Sequence, residues 1–284
     1  MPSCHILKPG IYTSLQDRGR KGMAFYAIPP SGYMDAHAAT LANRLIGNNL
    51  DYPVIECSLA GPTIAFDSDA LISITGADMQ WQLDRLAVPI NQTIHIKKGQ
   101  ILKGGYAING LYGYIAIQGK IEATLSYGSS SGYSPAELGH LKGRPYNVSD
   151  RITWQIADHY KADSSHHNIP DIPDTIQLIK GPEYHLLDKN SQHLLTTSQF
   201  LKTSDSNRMG ARLSGPILKT TQPLTHSVPV VPGHMQLAPS GQPIVVLNDG
   251  QTTGGYPRIA LLSNEMRNAF NRIGIAKPLS FKVL

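Results

Sequence analysis

Along the chain, short apolar runs alternate with glycine and proline turns. Val54-Ile55-Glu56-Cys57-Ser58-Leu59, Ala70-Leu71-Ile72-Ser73-Ile74, Leu111-Tyr112-Gly113-Tyr114-Ile115-Ala116-Ile117 and Ile244-Val245-Val246-Leu247 are rich in β-prone residues. They are short for helices and predict buried strands. Helical spacing appears in two places. Between Asp35 and Gly47, Ala38, Leu41, Ala42 and Leu45 share one face behind an aspartate cap and ahead of a glycine stop. Glu265 to Ile273 predicts a second short helix. The pattern is that of a mainly β protein with a few short helices.

The same order of signals occurs twice. His5-Ile6-Leu7-Lys8-Pro9-Gly10 is answered by Gln177-Leu178-Ile179-Lys180-Gly181-Pro182, and Leu59-Ala60-Gly61-Pro62 by Leu213-Ser214-Gly215-Pro216. Lys98-Gly99-Gln100-Ile101-Leu102-Lys103 is echoed by Lys277-Pro278-Leu279-Ser280-Phe281-Lys282. An internal repeat of short strands predicts two β barrels, each removing its sheet edges by closure. The expected divisions are a first barrel over 1–157, a polar, apolar-poor linker over 158–173 and a second barrel over 174–284. The first copy carries an extra strand, Leu111 to Ile117, and a Gly128-Ser129-Ser130-Ser131-Gly132 stretch that reads as flexible.

Composition narrows the function classes. Charged residues make up 16% of the 284, while 26 glycines and 20 prolines favour turn-rich β structure over a helical bundle. The net charge of +5 is dispersed, and Arg18-Gly19-Arg20-Lys21 is the densest basic run. No nucleic-acid partner is expected. No apolar run approaches the roughly 18 residues that span a bilayer, and no apolar leader opens the chain. The expectation is a soluble, cytoplasmic protein with no membrane contact. Two cysteines make no disulfide framework; Cys57 reads as a small buried apolar residue, with a nucleophile as the alternative. His159 and His166-His167 form the one histidine cluster, in the expected linker, and no metal is predicted. Phosphate-loop, dinucleotide and nucleophile-elbow signatures are absent.

The richest polar run is Gln251-Thr252-Thr253-Gly254-Gly255-Tyr256-Pro257, directly after a buried strand. Its amide, hydroxyls and phenol supply hydrogen bonds without charge, and two glycines let backbone approach another group. A polar substrate pocket and a plain glycine turn both fit. Three further clusters compete. In Thr13-Ser14-Leu15-Gln16-Asp17-Arg18, Asp17 and Arg18 position a substrate carboxylate or simply pair at the surface. Pro30-Ser31-Gly32-Tyr33-Met34-Asp35 runs into the first helix, where Ser31 and exposed backbone N–H groups suit an anion and Asp35 suits the cap. Ser204 to Arg212 offers Arg208 for a carboxylate or phosphate.

These segments, with Asn43-Arg44-Leu45-Ile46-Gly47-Asn48, Ile74-Thr75-Gly76-Ala77-Asp78 and Asn207-Arg208-Met209-Gly210, resemble the KipA family. This is the allophanate hydrolase subunit 2, or biotin-dependent carboxyltransferase-like, family, and the resemblance spans nearly the whole chain in order. It implies two cyclophilin-like β barrels. It also implies two partners in a 5-oxoprolinase, a KipI-like protein as its B component and a lactam hydrolase as its A component. With this chain as the third component they would open 5-oxoproline to glutamate at the expense of ATP. ATP would be bound by the complex, with no site assigned in this chain. Two other roles are compatible with the family: carboxyl transfer from carboxybiotin on a separate carrier, and a KipA-like regulator that binds a KipI-like kinase inhibitor. No Met-Lys-Met site is present, so the chain would carry no biotin itself.

For lactam opening, Arg208, Arg18, Thr252 and Thr253 are the expected stabilisers, and Asp17, Glu56 or Asp249 the general base. Gln251, Thr252, Thr253, Gly254, Gly255, Tyr256, Ser31 and Asp35 are the expected substrate contacts. The family differs by having a small residue at Tyr33, arginine at Gly250 and Arg-Ser-Thr-Tyr at Ser130 to Tyr133, so the pocket here has one cation fewer.

Overall fold

The computed structural model of the chain describes residues 1–156 and 169–284. Most of the expected linker, and with it His159, His166 and His167, lies outside the described residues. Two compact units emerge: Met1–Arg20 with Ser31–Pro170, and Lys21–Pro30 with Asp171–Leu284.

In the first unit the strands are hydrogen-bonded as two sheets around one core. A seven-stranded sheet runs in the order Lys120–Ile121, Arg151–Gln155, Ser3–Lys8, Thr63–Phe66, Ile101–Lys103, Gln82–Leu83 and Leu86–Ala87. A five-stranded sheet runs Tyr12–Gln16, Val54–Ser58, Tyr112–Ile117, Ala70–Gly76 and Gln92–Ile96. The extra strand of the first copy is thus the centre of the second sheet, and all six of its residues are buried.

Period-2 alternation explains how both faces of that sheet are used. Ile55, Cys57, Ile72, Ile74, Ile115 and Ile117 enter the apolar core. Their neighbours Glu56, Ser73, Thr75 and Tyr114 are buried too, on the face that carries α1 (Ala36–Leu45). Ser73 Oγ donates to the Ala42 carbonyl and Thr75 Oγ1 to that of Ala38, each at 2.6 Å. Asp35 caps α1 by accepting from the His37 and Ala38 N–H groups at 3.1 and 3.4 Å.

The second unit contains a closed barrel in the order Ile176–Lys180, Arg258–Leu261, His234–Leu237, Pro243–Val246, Gly210–Ser214, Gln199–Lys202 and Pro278–Val283. The ring shuts where Pro278–Val283 pairs in parallel with Ile176–Lys180. In chain order its helices are α2 (Lys189–Thr197) and α3 (Asn264–Arg272). The predicted second helix is α3, capped by Ser263 Oγ. α2 has no counterpart in the apolar pattern because it buries only Ser191 and Leu195. Lys202 is buried, its amine donating to the Phe270 and Ile273 carbonyls at the end of α3 at 2.5 and 2.8 Å. Burial pushes its pKa down to about 7.

The repeated Gly-Pro signal has the same physical basis in both units. A Cβ at Gly61 would come within 2.7 Å of the Trp81 ring, and one at Gly215 within 2.5 Å of the Phe200 ring. Each glycine lets the chain pass flat over an aromatic side chain of the core. No described helix is long and apolar enough to cross a membrane.

Candidate functional site

Polar chemistry gathers at one place in each unit. In the first, the Tyr12–Gln16 strand delivers Asp17 to a buried loop 114 residues away in sequence. The carboxylate of Asp17 accepts from Ser129 Oγ at 2.6 Å, Ser131 Oγ at 2.7 Å, the Ser130 N–H at 2.6 Å and Oγ at 2.9 Å, and the Gly19 N–H at 2.8 Å. Gly128 to Gly132, which reads as flexible, is thus a structural clamp whose three serines are buried. Composition misleads there because the hydroxyl partner is remote. Burial alone would raise the pKa of Asp17, but the hydrogen bonds from Ser129, Ser131, Ser130 and Gly19 outweigh it and the net shift is downward. So held, Asp17 organises the loop and is a weak base.

A cleft of about 470 Å³ opens beside this clamp, lined by Asp17, Ser130, Asp51, Tyr52, Lys120 and Glu122 among others. That is the size of a small-molecule site. Arg18 pairs with Asp51, both more than half exposed. Lys120 lies over the Tyr52 ring, 6.0 Å from its centroid. Since Lys120 and Glu122 are two apart along an extended segment, they present an ammonium and a carboxylate to the same side. Tyr33 is buried, and its hydroxyl donates to the Tyr52 carbonyl at 2.8 Å.

Glu56 and Asp35 are more deeply placed than their expected roles require. Glu56 is 1% exposed and accepts from the Met34 N–H at 2.8 Å, while the Asp35 N–H donates to the Tyr114 hydroxyl at 2.7 Å. Both residues hold the Ser31 to Asp35 segment onto the five-stranded sheet. Ser31 takes a positive φ of 55° and is buried.

In the second unit, Arg208 and Asp249 form a buried two-pronged pair, Nε to Oδ2 at 2.7 Å and Nη2 to Oδ1 at 3.2 Å. Arg208 therefore finds its carboxylate within the unit, and Asp249 is engaged by it. The run Gln251 to Tyr256 is neither a plain turn nor a free loop. Thr253–Gly254 pairs antiparallel with Val228–Pro229 as a two-stranded ribbon. Buried Gln236 brackets it, accepting from Gln251 Nε2 at 3.1 Å and donating to the Tyr256 carbonyl at 3.3 Å. Close approach occurs at Gly254, where a Cβ would lie 2.9 Å from Gln236 Nε2; around Gly255 the space is open. A Cβ at Gly250 would meet the Met209 carbonyl at 2.7 Å, so this backbone leaves no room for a longer side chain there.

Thr252 is buried and its carbonyl accepts from the Val230 N–H at 2.8 Å; Gln251, Thr253 and Tyr256 face solvent. The far side of the ribbon is tied down by Arg258, which donates to the Pro229 carbonyl at 2.7 Å while gripping Glu183 at 2.9 and 2.7 Å. Hydrogen bonding from Arg258 holds the Glu183 carboxyl below the usual glutamate range. Sequence reasoning missed this pair, the Ser129 to Ser131 clamp, Lys120 and Gln236, because each depends on a partner remote in the chain.

The clamp predicts a pH effect. A carboxylate whose folded pKa is depressed stabilises the protein fully above its unfolded pKa, and that contribution is lost as the pH falls through the folded value. Asp17→Asn should therefore be less stable than the parent near neutrality, with the gap closing in acid. Thermal melts of both proteins between about pH 3 and 7 check this; a gap that does not narrow refutes it.

The family described as carboxyltransferase domain, subdomain A and B, matches residues 26–283. The C component of 5-oxoprolinase from Escherichia coli (strain K12) is 35% identical over 281 residues, 97% of this chain and 89% of that protein. Urea amidolyase of Saccharomyces cerevisiae is 29% identical, over 88% of this chain but 15% of its own length. Among solved structures, the Kluyveromyces lactis urea amidolyase has the same fold, with a TM-score of 0.90 at 24% identity over 99% of this chain and 19% of that one. The protein TTHA0988 gives 0.87 at 25% identity, over 99% of this chain and 56% of its own.

Proposed function

Because the chain belongs to the carboxyltransferase-domain family, subdomains A and B, we propose that it is the C component of an ATP-dependent 5-oxoprolinase. The reading rests on one observation: 35% identity to the C component of a 5-oxoprolinase along nearly the full length of both chains. The partners are a KipI-like protein as the B component and a lactam hydrolase as the A component, and the complex works in the cytoplasm.

Opening a lactam requires loss of amide resonance, and phosphorylation of the carbonyl oxygen by ATP would make the ring carbon a better electrophile. What this chain contributes is binding and orientation. Thr253 and Gln251 present neutral hydrogen-bonding groups on the outer face of a braced ribbon. The Arg208–Asp249 pair precedes this segment in the chain and is closed on itself by a further bond, the Asp249 N–H donating to the Arg208 carbonyl at 3.0 Å. In the first unit, Lys120 lines a cleft large enough for a cyclic amino acid. Preorganised donors of this kind stabilise developing charge without reorganising during the reaction.

A second reading, carboxyl transfer from a separate biotinylated carrier, is favoured by the family's description and by the urea amidolyase relatives. The two readings separate in one assay. The purified chain alone is expected to turn over neither 5-oxoproline nor ATP, whereas its complex with the lactam hydrolase and the KipI-like protein should release glutamate from both together. Glutamate formation by the chain alone, or its absence from the complete complex, overturns the proposal. Carboxyl transfer from carboxybiotin by the complex would favour the second reading.

A further inference from the structure

Met23-Ala24-Phe25-Tyr26-Ala27-Ile28 is an unbroken apolar run, and its middle stands in water. Phe25 is 92% exposed and Tyr26 66%. Single exposed apolar residues are ordinary, but a run of this length outside a core is not. The two rings touch each other edge to face, with centroids 5.4 Å apart.

The run is also ordered. It forms a tight turn, Ala24–Tyr26, in which the Tyr26 N–H donates to the Met23 carbonyl and the Ala27 N–H to the Ala24 carbonyl, both at 3.0 Å. Ala27 accepts a positive φ of 59° to complete it, a conformation that costs a residue with a side chain. A strained, hydrogen-bonded turn that holds two aromatic rings outward has already lost the freedom that binding would otherwise have to remove. Lys21, at the start of the segment, is exposed and adds a positive flank.

The relatives point to another protein as the occupant. TTHA0988 matches this chain over 99% of its length, yet only 56% of that polypeptide is accounted for. A relative of nearly this chain's own size is by contrast named as one component of a multi-chain enzyme. In TTHA0988 the part that matches this chain is covalently joined to further protein, which gives a protein neighbour of this fold a precedent. We propose that Phe25 and Tyr26 are the anchor through which this chain docks onto its KipI-like partner, in an apolar socket with an acidic rim. The assignment rests on the partnership proposed above. Aromatic side chains seated in such sockets carry a disproportionate share of binding energy, while the surrounding contacts chiefly exclude water.

The test is a titration of the full chain with the KipI-like protein encoded in the same genome. Phe25→Ser and Tyr26→Ser should each weaken binding by about tenfold or more, and the double variant by about a hundredfold or more. Melting temperatures should stay at the parental value, since the two rings contact each other in solvent. If the double variant binds as tightly as the parent, the docking surface is wrong and the partnership stands. If the parent chain itself does not bind the KipI-like protein, both fall. Sedimentation supplies the remaining outcome: self-association of the parent that the double variant abolishes would give this surface to a second copy and overturn the proposal.

Discussion

Arg208→Leu is expected to lower the stability of the second unit by about 3–5 kcal/mol, because it leaves Asp249 charged and unpaired in a buried position. Both side chains are 8% exposed and meet through two hydrogen bonds. Little water is available to replace the guanidinium. Removing both charges should cost less than the sum of the two single losses, since the apolar pair leaves no orphaned carboxylate. Arg208→Lys should fall between, as it keeps the charge but loses the planar fork. Urea unfolding of Arg208→Leu, Asp249→Leu and the double variant gives the coupling directly. Additive losses would show that the pair is not the source of the effect.

Thr253→Val is expected to act on rate instead. The residue is exposed, and valine keeps its branched shape and strand preference, so the ribbon with Val228–Pro229 should persist. If the hydroxyl meets charge developing on the substrate, its loss from the reconstituted complex should cost roughly 2.7–4 kcal/mol, or a hundredfold or more in kcat. The measurement is turnover of 5-oxoproline with ATP by complexes of matched composition. Wild-type turnover would reduce the ribbon to scaffold and move attention to the cleft beside Lys120.

What could be read from the sequence was what is encoded over a few residues. Asp35 before an alternation of alanines and leucines, with Gly47 as the stop, marks α1 to within a residue or two. The recurring Leu-x-Gly-Pro was legible as a repeat, although its cause, a ring pressed against each glycine, was not. Mainly β architecture followed from strand length and turn spacing. What escaped has partners far along the chain. Asp17 looks like half of a surface ion pair until Ser129 to Ser131 arrive from more than a hundred residues away. Glu183 and Arg258 carry no mutual signal at a separation of 75 residues. α2 was invisible for a different reason: its core contribution is one leucine and one serine, too little for a period to show.

The closing strand of the barrel has a consequence for how the protein is made. Both neighbours of Ile176–Lys180, namely Arg258–Leu261 and Pro278–Val283, are the last two strands of their unit to be synthesised. On the ribosome the first strand of the ring emerges with neither edge covered and waits for nearly the whole unit to follow. During that interval its backbone donors and acceptors are open to pairing with another nascent chain. The yield of folded protein is then expected to depend on how long this strand stays uncovered as well as on the stability of the finished ring.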